Sequence, residues 1–141
     1  MIVVDSSALV RSFTDDRELG DQARAILALH EELIAPSHLT AEVTHALRGM
    51  VIGGKIELER AEWALREYFD FGVRLIEPDA AMVDRAWKMR HDLSAYEALY
   101  VATAEHFGYP LLTSDARIEA SGAAHCEIKV LRSDASRISP L

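Results

Sequence analysis

Four carboxylates in this 141-residue chain are candidates for a shared site, each with a structural reading beside it. Asp5 follows Ile2-Val3-Val4, and Asp115 follows Leu111-Leu112-Thr113-Ser114. Each apolar run reads as a short buried strand ending near an acid. In open parallel sheets, ligands bind beyond the carboxyl ends of the strands, so these two acids lie side by side if their strands are neighbours. The other reading of each is a helix cap, since Asp after a strand often begins a helix. Glu42 sits on the flank of a helical apolar stripe beside Leu39 and Ala46, with His38 and His45 at i−4 and i+3. It is either an amphipathic boundary residue or a side chain aimed at a site. Glu97 has Tyr100, Val101 and Ala104 around it on the helical wheel, where a bare carboxylate is costly unless paired or bound. It also completes Ser94-Ala95-Tyr96-Glu97, a capping box in which it reaches back to the Ser94 backbone. Carboxylates brought together in this way are oxygen-only ligands for a hard dication such as Mg²⁺ or Mn²⁺. The His38-Glu42-His45 spacing also allows a transition metal, but the neighbouring acids suit a hard ion better.

Positioning these acids requires alternating elements, and the chain supplies them. Strands are predicted at 2–4, 33–35, 73–76, 110–113 and 128–131. Helices are predicted from Ser6-Ser7 through Phe13, over 18–30, from a Ser37 cap to Ile52, over 58–71, 79–92 and 95–107. Gly53-Gly54 stops one helix, and Leu93-Ser94 breaks the pair near residue 93. Short apolar strands separated by helices give an α/β fold with a mainly parallel sheet of about five strands. One domain is expected over 1–132, followed by a loose tail at 133–141.

Composition narrows the chemistry. Half of the residues are apolar and 27% are charged, as in ordinary globular chains. No apolar run approaches the roughly 20 residues of a membrane span, and MIVVD lacks the basic and apolar regions of a secretory signal, so a cytoplasmic setting is expected. The single cysteine, Cys126, forms no internal disulfide. There is no Gly-rich dinucleotide or P-loop motif. With 15 Lys and Arg against 23 Asp and Glu, the formal charge is −8. Such a surface either avoids nucleic acid or meets phosphate through bound cations that reverse the local sign. Twelve of the 15 basic residues are Arg, the side chain suited to bidentate phosphate contacts.

Three segments together resemble one family: MIVVDSSALV at 1–10, SHLTAEVTHAL at 37–47 and YEALYVATAEHFGYPLLTSDARI at 96–118. They are similar to the PIN-domain ribonucleases, in particular the VapC toxins of type II toxin–antitoxin systems. The likeness runs in order along nearly the whole chain, with 50–92 matching only as generic helices. It implies a PIN-like three-layer α/β/α fold in which Asp5, Glu42, Glu97 and Asp115 form an acidic site. Asp5, Glu97 and Asp115 would be metal ligands for Mg²⁺ or Mn²⁺. Glu42 would be a further ligand or the group that positions water. The family usually has Asp where this chain has Glu97, which puts metal choice and affinity in question. Ser7 and Thr113 match hydroxyl positions beside the site, and Arg117 is either a contact for substrate phosphate or a solvated side chain. The resemblance further implies an RNA substrate, a VapB-type antitoxin partner and a homodimer. The alternative within the same fold is a protein that binds RNA or a partner through an impaired metal site. A receiver domain is disfavoured because Asp5 is followed by two Ser and the third strand runs into Glu77-Pro78. A phosphatase with Asp5 as nucleophile is disfavoured because D-x-D is absent.

Overall fold

The structure, a computed structural model, describes residues 1–133. Five strands form one sheet: β1 (Ile2–Val4), β2 (Leu33–Pro36), β3 (Arg74–Ile76), β4 (Leu111–Thr113) and β5 (Ile128–Val130). Their order is β3-β2-β1-β4-β5, and every pairing is parallel. Seven helices accompany them: α1 (Ser6–Thr14), α2 (Glu18–Ala28), α3 (Leu39–Ile52), α4 (Leu58–Asp70), α5 (Ala80–Lys88), α6 (Ala95–Phe107) and α7 (Ala116–Ala120). The α/β class and the parallel sheet expected from the strand pattern are both present.

The central strands are short and buried on both faces. Ile2, Val3, Val4, Leu111 and Leu112 are wholly inaccessible to water, as unbroken apolar runs in parallel sheets require. From β1 the chain moves outward through β2 to β3, by way of α1–α2 and α3–α4. It then crosses back through α5–α6 to β4 and on to β5. Right-handed crossovers therefore put α1–α4 on one face and α5–α7 on the other. The packing agrees: α1 lies against α2, α3 and α4, and α5 lies against α6. The strand order reverses between β1 and β4, so the helices leaving these two neighbours diverge. That divergence opens a crevice at their carboxyl ends.

Several element boundaries differ from the sequence expectation for local reasons. Asp5 caps α1, accepting a hydrogen bond from the Ala8 N–H at 3.0 Å, whereas Ser6 and Ser7 already lie in the helix. Ser37 does not cap α3: its hydroxyl donates to Glu77 at 2.8 Å, and His38 takes the N-cap position without a side-chain bond. The helix expected over 79–92 ends at Lys88. Helix α7 has only five residues, too few to show a period. The break at Leu93-Ser94 is as expected, and both halves of the Ser94/Glu97 capping box are formed. Of the expected tail at 133–141, residues 134–141 lie outside those described. Among the described residues no helix is long and apolar enough to cross a membrane.

Candidate active site

Asp5 and Asp115 come together because β1 and β4 are neighbours running the same way, with Val3 opposite Leu111 and Val4 opposite Leu112. One hydroxyl links them. Thr113 Oγ1 donates to Asp5 Oδ2 and accepts the Asp115 N–H at 3.0 Å. Ser7 Oγ donates to Asp5 Oδ1 at 2.7 Å and accepts the Ser114 N–H at 3.0 Å. Both hydroxyls expected beside the site thus hold Asp5 and tie the α1 N-terminus to the end of β4.

The electrostatics of the two aspartates are opposite. Asp5 is only 6% exposed. Burial drives its pKa up to about 6, against the lowering effect of Ser7, Thr113 and the Ala8 N–H, with Glu42's negative charge adding to the rise. Asp115 caps α7 through the Arg117 N–H at 2.9 Å. The Arg117 side chain grips both of its oxygens, with Nε at 3.0 Å from Oδ1 and Nη2 at 2.7 Å from Oδ2. That guanidinium, outweighing partial burial, pulls the Asp115 pKa down to about 2.

Glu97 and Glu42 arrive from opposite faces, each in the first turn of a helix that starts at the carboxyl edge of the sheet. Glu97 Oε1 accepts the Ser94 N–H at 3.1 Å, while Oε2 lies 3.8 Å from Arg117 Nη2. Glu97 therefore forms the cap its sequence offered, with its second oxygen turned toward Arg117. Glu42 Oε1 accepts the Tyr100 hydroxyl at 2.6 Å and the Ser6 hydroxyl at 3.4 Å. Burial, then the bond to Glu42, holds the Tyr100 phenol far above its ordinary pKa, so it stays a donor. His38 Nε2 lies 3.6 Å from Glu42 Oε1, too long for a hydrogen bond, and is without a hydrogen-bond partner among the described residues. Its ring packs against Tyr96 and Tyr100, and burial lowers its pKa despite the nearby carboxylate. His45 stays exposed.

Among the described residues, no three His, Cys, Asp or Glu side chains close on one point as a finished metal cage. Arg117 stands as the cation between Asp115 and Glu97. The residues nevertheless fit a hard dication. Their donors are all oxygens, Asp5 is a buried carboxyl with no positive partner among the described residues, and a cationic group already occupies the position between the other two.

Comparison with known proteins identifies the family. The family model described as "PIN domain" matches residues 2–123. The chain is 36% identical over 132 residues to Ribonuclease VapC1 of Mycobacterium tuberculosis, covering 92% of this chain and 97% of that protein. The chain belongs to the PIN-domain family, among its VapC-type ribonucleases. Two solved structures share the fold. One is Mycobacterium tuberculosis VapC20, a Sarcin-Ricin loop cleaving toxin, at TM-score 0.66 and 19% identity, covering 86% of this chain and 95% of that one. The other is VapBC2 from Rickettsia felis bound to a DNA fragment from their promoter, at TM-score 0.67 and 12% identity, covering 94% of this chain and 100% of that one.

Two features of this PIN-domain site were not read from the sequence. Tyr100 is a hydrogen-bond donor to Glu42 across 58 positions, and its only sequence signal is its place one helical turn after Glu97. Arg117 clamps Asp115, and its spacing of two residues is the geometry of an N-cap bond extended by a long side chain.

Proposed function

We propose that this VapC-type ribonuclease is a Mg²⁺- or Mn²⁺-dependent endoribonuclease that hydrolyses RNA phosphodiesters within accessible, single-stranded regions. The observation that carries the reading is the joining of Asp5 and Asp115 through Thr113 at the reversal point of the sheet. Asp5, Glu97 and Asp115 would hold the ion. Once bound, it supplies positive charge to polarise the phosphoryl oxygens and acidify water. Ser7 and Thr113 fix the Asp5 carboxylate so that its direction does not depend on the ligand. Glu42, oriented by Tyr100, accepts a proton from, or aligns, the attacking water. Arg117, 85% exposed at its side chain, leaves Asp115 and turns its fork to a substrate phosphate.

As toxin of a type II pair, the protein is further proposed to bind a VapB-type antitoxin in the cytoplasm. A chain at −8 favours a partner segment rich in Arg or Lys. A homodimer is proposed as well, supported by exposed apolar surface at Val83 and Trp87 on α5 and at Tyr96 on α6. Light scattering on the purified chain tests it, and a monomer at all concentrations removes it.

The catalytic test is cleavage of a structured RNA by the purified protein in Mn²⁺ or Mg²⁺. Activity is expected to vanish in EDTA and in Asp5→Asn, and cleavage by Asp5→Asn at the wild-type rate would sink the mechanism. The tie of Glu97 to the Ser94 cap favours one other reading, a PIN fold that binds RNA without cutting it. A calorimetric titration showing no divalent binding, with RNA binding intact, would select it.

A further inference from the structure

A cleft of about 410 Å³ begins at Ser7, beside the acidic centre, and runs along α1 to the α1–α2 loop. Val10, Arg11, Arg17, Met50 and Lys55 line it, along with the loop acids Asp15 and Asp16. From Ser7 to Thr14 the helix rises roughly 10 Å, so the cleft extends well beyond the place of a single phosphate. Its charge is the unusual feature in a chain that is acidic overall. Asp15 is partly buried, yet the Arg17 N–H and the Arg11 and Arg24 charges hold its carboxyl low; Arg11 Nη1 is 2.8 Å away. Asp16 is engaged by Arg60, whose Nη2 lies at 2.9 Å. Both acids are therefore neutralised locally. Arg17 and Lys55 are exposed and have no acidic partner among the described residues. Lys55 is also held in place, because Gly54 turns the chain at φ +70° and the Lys55 N–H bonds back to the Met50 carbonyl at 2.8 Å.

We infer that this cleft holds the single strand of RNA flanking the bond to be cut, with Arg17 and Lys55 on its phosphates. The inference rests on the ribonuclease reading above and adds a substrate track to it. The apolar floor of Val10 and Met50 has no aromatic ring on which to stack a base. The cleft consequently grips backbone, contributing salt-dependent affinity with little choice of sequence. A polyanion approaching a molecule at −8 needs such a local reversal of sign.

The test is fluorescence polarisation with a labelled oligouridylate in EDTA, so that the strand stays intact, repeated over a range of KCl concentrations. The double variant Arg17→Gln/Lys55→Gln is compared with Arg48→Gln/Lys88→Gln, which removes the same charge elsewhere. Arg48 is exposed on α3, about 200° around the helix from Met50, and Lys88 is exposed at the end of α5. The cleft variant is expected to bind at least fivefold more weakly at low salt. Its plot of log affinity against log salt should flatten by about 0.7 per lost contact. The control should stay within twofold of wild type. Equal losses in both variants, no loss in the cleft variant, or no measurable binding by wild type at low salt would each overturn the inference. So would a cleft variant that keeps RNA but loses an oligoglutamate peptide, since the cleft would then serve an acidic protein segment. Failure of the nuclease reading appears separately, as wild type that binds the oligonucleotide but cleaves no RNA in Mn²⁺.

Discussion

Asp5 is a carboxyl that the fold has desolvated and, among the described residues, left without a cation, and this has a measurable cost. Its pKa rises from 3.8 to about 6. A folded-state pKa above the unfolded one gives stability that is present below pH 3.8 and is lost as pH climbs through 6. The displacement corresponds to about 3 kcal/mol. In EDTA, Asp5→Asn is therefore expected to gain stability relative to wild type as pH rises from 4 to 7.5, approaching 2–3 kcal/mol. Urea denaturation of both proteins across that range checks it, and a gap that does not widen with pH contradicts the burial account. Asp115 is set the other way, ionised down to about pH 2 by Arg117. Arg117 and a dication held at Asp115 would compete for the same oxygens. Arg117→Gln should then bind Mn²⁺ several-fold more tightly than wild type by calorimetry without RNA, while unchanged or weaker binding would mean that Arg117 is no competitor.

At the scale of elements, the site depends on ties that fix where helices begin and how they lie. Arg85 on α5 joins Glu105 on α6 with Nε at 2.7 Å from Oε1, and its Nη2 donates to the Ala123 carbonyl at 2.7 Å; Glu105 also accepts the His125 N–H. Both side chains are mostly buried, at 25% and 15% exposed. Glu105→Ala would strand the guanidinium and the His125 N–H, at an expected cost of about 3 kcal/mol in urea denaturation. A cost under 1 kcal/mol would show the tie to be ornamental. Gly20 makes a different tie: it is buried where α2 crosses the α1–α2 loop, and a β-carbon there would run into the Asp15 carbonyl. Gly20→Ala must push that loop, and Arg17 with it, out of place. A loss of about 1–3 kcal/mol is expected, along with weakened oligouridylate binding, and wild-type stability would argue against the crowding. These ties also mark what the sequence could reveal. The Ser94-x-x-Glu97 box was legible because it is local, four residues reporting on one turn. The α3 cap was misassigned because Ser37 found Glu77, forty positions away, and α7 was missed because five residues carry no period.

For the molecule as a whole, each strand-ending acid was legible on its own, because an apolar run before Asp is a local pattern. The convergence was not, since it follows from β4 crossing back over β2 to lie beside β1, a pairing between residues more than a hundred positions apart. Only the family resemblance supplied it from sequence. The same convergence sets how the whole fold should respond to metal. Carboxylates from β1, α6 and β4 would share one ion, so binding would tie together elements from both sides of the sheet and would exist only in the folded state. Linkage then stabilises the fold by RT ln(1 + [L]/Kd), about 2.7 kcal/mol at a hundredfold excess over Kd. For a chain of this length that is a rise in Tm on the order of 10 °C. Calorimetric scans with rising Mn²⁺ should show it for wild type. Asp5→Asn, already relieved of its buried charge, should start from a higher Tm in EDTA and respond little to the ion. An equal Mn²⁺-induced rise in both proteins would place the ion away from Asp5.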